Sequence, residues 1–140
     1  MAGNGGALPW LTAYDESVPH NLQYPEKTVF QLFQEVAEEH PEKTALVFFG
    51  RRITYRELAR YIDALAAAMA EMGVEKGDKV ALLLPNCPQY VIAYYAILRL
   101  GAVVVPVNPL NTERELEYIF RHAGVRAAVA LNLLAARLEK

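Results

Sequence analysis

The residues best suited to chemistry in this sequence are few and scattered. Cys87 is the single cysteine of 140 residues. It precedes Pro88 at the expected start of a helix, where the positive helix end would stabilise a thiolate. A nucleophile also needs a base, and no histidine stands near it in sequence. The competing reading is a small packed thiol. His20, His40 and His122 are isolated, without the short spacing of a ligand pair, which argues against a zinc site. His40 lies just before Pro41 at a helix end, where a cation complements the dipole. Glu113, Glu115 and Glu117 fall in and just after a first helical turn. Their charge offsets the helix end, whereas acid–base work would need a pocket and a raised pKa. Tyr90, Tyr94 and Tyr95 follow Pro88 on one helix, the first two on a shared face. They either pack in a core or interface or line an acyl pocket, and packing is the favoured reading. Gly73-Val74-Glu75-Lys76-Gly77-Asp78-Lys79 has the glycines and lysines of a phosphate loop. Its spacing is wrong, and it precedes a strand where a phosphate loop would follow one. It reads as a helix cap and a turn.

The elements that position these residues follow from period and punctuation. Residues 1–25 carry Gly3, Gly5, Gly6, Pro9, Pro19 and Pro25 and show no clean period, so they form an irregular arm. Trp10, Tyr14 and Tyr24 within it are too aromatic for a free tail. They are candidate interface residues that either join a second subunit or fold back on their own domain. From residue 26 to 140 the pattern is regular. Thr28 with Gln31 makes a capping box for a helix ending near Glu39, with Val29, Phe30, Phe33, Val36 and Ala37 on one face. Thr44 to Phe49 reads as a strand, Gly50-Arg51 as a turn and Arg52 to Thr54 as a short return strand. Thr54 with Glu57 caps the next helix, whose stripe runs through Leu58, Ile62, Ala66, Met69 and Met72 to a stop at Gly73.

Val80 to Leu84 is continuously apolar. A helix from about Pro88 to Leu100 closes on Gly101, and Ala102 to Val107 is a second apolar run. Thr112 and Glu115 cap a helix that stops at Gly124. Arg126 to Ala130 is a further strand, and Asn132 opens a last helix. Continuous apolar strands alternating with helices imply an α/β fold with a parallel sheet, helices on both faces and right-handed crossovers. It is preceded by the arm and a short β-hairpin. The alternation is still under way at Lys140, so the expectation is a truncated α/β subdomain over residues 26–140.

Composition narrows the classes. The chain is 54% apolar with a net charge of −2 and no basic cluster, which argues against nucleic-acid binding. The apolar stretch from Ala93 to Val107 contains Arg99 and Pro106 and is too short to span a bilayer. The N-terminus lacks the basic start and apolar run of a signal peptide. A lone cysteine fits a reducing compartment, so the expected location is cytoplasmic.

Two motifs resemble known signatures. Ile53-Thr54-Tyr55-Arg56-Glu57-Leu58 resembles the first signature of the adenylate-forming superfamily, which includes acyl-CoA synthetases, luciferases and peptide-synthetase adenylation domains. Leu98-Arg99-Leu100-Gly101-Ala102-Val103-Val104-Val105-Pro106-Val107-Asn108-Pro109 resembles its helix–glycine–strand signature. Asn108-Pro109, Lys79 to Asn86, Pro9-Trp10-Leu11 and Tyr24-Pro25-Glu26 look like the bacterial long-chain fatty acid CoA ligase branch. The resemblance implies the N-terminal portion of a several-fold longer enzyme. That enzyme would use ATP, magnesium and coenzyme A to convert a fatty acid to acyl-CoA through an acyl-adenylate. The family's phosphate loop, adenine-contacting segments and catalytic lysine find no match here. No catalytic, cofactor or metal residue is therefore expected within these 140 residues, and the chain alone is expected to be inactive. An interaction or homodimerisation module, or a ligase for another carboxylic acid such as an aryl acid, are the alternatives.

Overall fold

The computed structural model describes residues 8–134. The glycine-rich start and the end of the expected last helix lie outside them. The arm opens with a 3-10 turn over Pro9–Ala13 and continues without regular structure to the first α-helix. Helix α1 spans Val29–Glu39. The hairpin is β1, Thr44–Phe48, with β2, Arg51–Thr54. Then follow α2 (Tyr55–Glu71), β3 (Lys79–Leu83), α3 (Pro88–Arg99), β4 (Val103–Pro106), α4 (Glu113–Ala123) and β5 (Val125–Ala130). A 3-10 turn at Asn132–Leu134 ends the described chain.

Helices α1, α2 and α4 begin on complete capping boxes, at Thr28/Gln31, Thr54/Glu57 and Thr112/Glu115. In each, the threonine hydroxyl accepts the N–H of the third helical residue, whose side chain accepts the threonine N–H in return. Helix α4 stops at Gly124, which takes the left-handed conformation at φ 67° that glycine enters without steric penalty.

Strands β3, β4 and β5 form a parallel sheet in the order β4-β3-β5, with Lys79 opposite both Val103 and Val125. Alternation along the central strand divides the core. Val80 and Leu82 face the layer of α2 and α3, where they meet Ile62, Ala93 and Ile97. Ala81 and Leu83 face the other way, toward Leu116, Ile119 and Phe120 of α4. Helices thus cover both faces, as the apolar runs imply. Helix α1 joins the first layer through Phe33 and Ala37. Arg99 of α3 pairs with Asp63 of α2 and lies over the Phe30 ring of α1 at 5.4 Å, tying three helices at one corner.

Several boundaries and faces differ from the sequence pattern. The hairpin loop is Phe49-Gly50, with Phe48 opposite Arg51, so Arg51 is already strand. Phe49 and Gly50 both have positive φ, 46° and 81°, the type I′ geometry that matches strand twist. Strand β3 begins at Lys79 and ends at Leu83, one residue earlier than the apolar run suggests. Val29, Val36 and Met72 are exposed, although their spacing places them on apolar stripes. Each lies at the margin of its stripe by helical geometry.

Candidate functional site

Cys87 is the N-cap residue of α3, and its side chain makes no capping bond. It is partly buried beside Leu82, Leu84 and Ala93. It also borders a groove of about 220 Å³ between the hairpin and the first turn of α3. Leu46, Val47 and Phe48 form one wall, and Cys87, Tyr90 and Val91 form much of the other. No histidine lines this groove, so the thiol has no base from that residue type there.

The tyrosines of α3 serve packing. Tyr95 meets Phe33 of α1 at 4.7 Å between ring centres and belongs to the core shared by α1, α2 and α3. Burial, reinforced by Tyr94 and Tyr55, raises its phenol above the ordinary value. Tyr90 and Tyr94 stack at 6.4 Å and lie against the cluster of Leu82, Leu84 and Ala93. Tyr90 alone of the three also faces the groove.

The remaining polar candidates stay apart. His20 makes an edge contact with Tyr14 at 5.8 Å. His40 caps the end of α1, its Nε2 3.5 Å from Glu39. His122 stacks on Tyr118 at 5.6 Å in the last turn of α4. Glu115 is held by its capping box. The N–H and then the hydroxyl of Thr112 keep its carboxyl below the usual range, the opposite of a general acid. Glu117 pairs with Arg121 at 2.9 Å along the helix. Glu113 lies in the first turn of α4. Among the described residues, no three His, Cys, Asp or Glu side chains come together as metal ligands.

The glycine segment before β3 is a cap and a turn. Gly73 has φ 85° just past the end of α2, and the Gly77 N–H donates to the Gly101 carbonyl at 3.0 Å. Asp78 accepts the Glu75 N–H at 2.8 Å and the guanidinium of Arg126 at 3.0 Å. These bonds hold its carboxyl below the ordinary value, the Glu75 N–H contributing most.

Trp10, Tyr14 and Tyr24 are exposed, at 55%, 43% and 78%, and Leu8, Val18 and Leu22 of the same arm are exposed with them. The groove beside Cys87 is the feature that sequence reading missed. It joins residues from β1 and α3 that no local pattern connects.

Comparison with known proteins gives this scaffold its family. The family model described as AMP-binding enzyme matches residues 33–140. The long-chain-fatty-acid–CoA ligase of Bacillus subtilis is 44% identical over 126 residues, covering 90% of this chain and 22% of that protein. The long-chain-fatty-acid–CoA ligase of Salmonella typhimurium is 38% identical over 134 residues, 94% of this chain and 24% of that protein. The chain thus spans less than a quarter of the length of these relatives. The N-terminal subdomain of Klebsiella oxytoca NpsA, solved in complex with 3-hydroxyanthranilyl-AMSN, superposes with a TM-score of 0.74 at 38% identity. That match covers 78% of this chain and 28% of the other. The inhibitor-bound N-terminal domain of FACL13 from Mycobacterium tuberculosis superposes with a TM-score of 0.75 at 27% identity, over 81% of this chain and 29% of the other. The two signatures, the parallel sheet covered on both faces and these matches agree: the chain belongs to the AMP-binding enzymes and has the architecture of their N-terminal subdomain.

Proposed function

We propose that this chain is the N-terminal part of an ATP-dependent long-chain fatty acid CoA ligase. The observation that carries the reading is the 44% identity to the Bacillus subtilis ligase across 90% of the chain. The intact enzyme would join a fatty acid to ATP with loss of pyrophosphate, then pass the acyl group to coenzyme A with loss of AMP. Residues 1–25 would be its arm and residues 26–140 part of its first α/β subdomain, within a cytoplasmic enzyme. No helix among the described residues is long and apolar enough to cross a membrane. This part would supply scaffold, with ATP, magnesium and coenzyme A held elsewhere in the enzyme. Alone, it would release no pyrophosphate from ATP and palmitate.

A graft tests the proposal. This chain would replace the matched segment of the Bacillus subtilis ligase, and acyl-CoA formation from palmitate would be measured. A folded graft that makes palmitoyl-CoA is expected. A folded graft without activity would overturn the assignment.

Two other readings have observations behind them. The match to NpsA, whose solved complex carries a 3-hydroxyanthranilyl group, favours an aryl-acid ligase. The same graft placed in NpsA distinguishes the two by which host keeps its activity. The exposed Trp10, Tyr14 and Tyr24 favour an interaction role in which the arm pairs two copies of the enzyme.

A further inference from the structure

The tip of the hairpin carries a residue that its own turn does not favour. A type I′ loop needs positive φ at both positions and prefers asparagine, aspartate or glycine there. Phe49 takes the first position at φ 46°, where a bulky side chain is strained. It is 96% exposed, and its ring meets Phe48 at 4.4 Å between centres. The residue thus costs stability twice, through strain and through apolar surface left in water. A Cβ placed on the neighbouring Gly50 would meet nothing within 4 Å, so the loop projects clear of the described residues. Charge surrounds this tip. Val47 stands opposite Arg52 and Phe48 opposite Arg51, so each face of the hairpin end sets an apolar residue beside an arginine. Both arginines are exposed. From Lys43 to Arg56 the sequence has four cations and no carboxylate, in a chain whose net charge is −2. The flanking acids are engaged: Glu42 pairs with Arg56 at 2.6 Å, and Glu57 is held by its capping box, where Arg51 adds a minor attraction.

We infer that the hairpin tip is a wedge for an anionic lipid bilayer. The Phe49 ring enters the headgroup layer, and Arg51 and Arg52 reach lipid phosphates from the two faces of the hairpin. A lipid surface supplies what the tip lacks, an apolar medium for the ring and negative charge for the arginines. Their stems can lie along Val47 and Phe48 while the guanidinium groups stay in the wet headgroup region. Tip-to-tip pairing of two copies would instead bring like charges together. One aromatic ring and two cations make a weak, reversible attachment, of the kind that holds a peripheral protein at the interface. The inference stands apart from the choice of acid that the longer enzyme activates.

The test is cosedimentation with vesicles of phosphatidylglycerol and phosphatidylethanolamine, and with vesicles of phosphatidylcholine alone. It uses both the 140-residue chain and the graft in the Bacillus subtilis ligase. Phe49→Asn suits the turn, so it is expected to fold at least as stably as the unaltered chain, which thermal unfolding checks. Its binding to the anionic vesicles is expected to be at least about tenfold weaker in both proteins. Arg51→Gln and Arg52→Gln should each weaken that binding about fivefold and leave the phosphatidylcholine result unchanged. Leu110→Ser, at an apolar site 87% exposed on the loop before α4, should have no effect. Unaltered proteins that do not bind the anionic vesicles overturn the inference, as does Phe49→Asn binding like the unaltered chain. An equal loss with Leu110→Ser also overturns it, because the attachment would then be general stickiness. A Phe49→Asn loss in the chain but not in the graft assigns the tip to a contact inside the longer protein instead. A variant that loses self-association yet keeps vesicle binding assigns it to a second copy.

Discussion

Arg126 Nη1 lies 3.0 Å from Asp78 Oδ2, joining β5 to the turn that precedes β3. The same carboxylate accepts the Glu75 N–H, so Asp78 both shapes the turn and anchors the edge strand. Removing the carboxylate breaks two bonds, whereas removing the guanidinium breaks one. Asp78→Ala is therefore expected to lower the melting temperature more than Arg126→Ala. Thermal unfolding of the two variants checks the order, and equal shifts would contradict it.

The capping boxes at Thr54/Glu57 and Thr112/Glu115 set an acid limit. The Thr54 N–H and hydroxyl hold Glu57 below its ordinary value of 4.5, and the Thr112 groups do the same for Glu115. With the native carboxyl depressed, the unfolded chain binds more protons as pH falls. The stabilisation is present above about pH 4.5, the unfolded value, and is lost as pH drops through the lower native values. Helix α1 uses Gln31 in the same role, so Glu57→Gln and Glu115→Gln should keep the cap at neutral pH. Urea unfolding from pH 7 to 3 is expected to show a flatter acid slope for the double variant. An unchanged slope would place the acid sensitivity in other groups.

Thr54→Ala removes the hydroxyl that accepts the Glu57 N–H at 3.2 Å. The loss expected for such a cap is about 1 kcal/mol of stability. Chemical denaturation reads it directly.

Ile62 is completely buried within the layer of α2 and α3. Ile62→Ala should destabilise the chain by about 2–5 kcal/mol through lost contacts and the remaining cavity. Met72→Ala, at a site 74% exposed on the same helix, should have a small effect. A large loss at Met72 would show that the exposed end of α2 is covered in solution.

Self-association through the arm has a direct reading. Trp10→Ala is expected to weaken it, as seen by sedimentation equilibrium over a range of concentrations. A concentration-independent monomer for the unaltered chain would remove the arm as an interface.

Local rules carried much of the fold. The capping boxes were legible because threonine and its partner three residues later interact within one turn. Gly73, Gly101 and Gly124 were legible because their left-handed conformation ends a helix in a way that glycine allows best. The parallel sheet followed from the apolar runs of β3 and β4. Exposure at Val29, Val36 and Met72 was not legible, since how far a stripe is covered depends on tertiary packing and not on spacing. Phe49 hid the hairpin loop because an aromatic is an unusual occupant of a type I′ turn. The Asp78–Arg126 pair and the groove at Cys87 escaped for the same reason, as both join residues distant in sequence. The polar candidates dispersed because each was already satisfied by its own helix end or neighbour.

The division of β3 between two layers restricts how this chain can change in length. Val80 and Leu82 serve one core while Ala81 and Leu83 serve the other. A single inserted residue early in the strand would exchange them, presenting valine where Ala81 now fits and alanine where Leu82 now fills its layer. The β3–β5 ladder already shifts register between Lys79 and Val80, and from Val80 to Leu82 both edges of β3 are paired, so a further bulge there would break pairs to β4 or β5. Insertions and deletions are thereby directed to the turns at each end of β3, away from the paired stretch Val80 to Leu82.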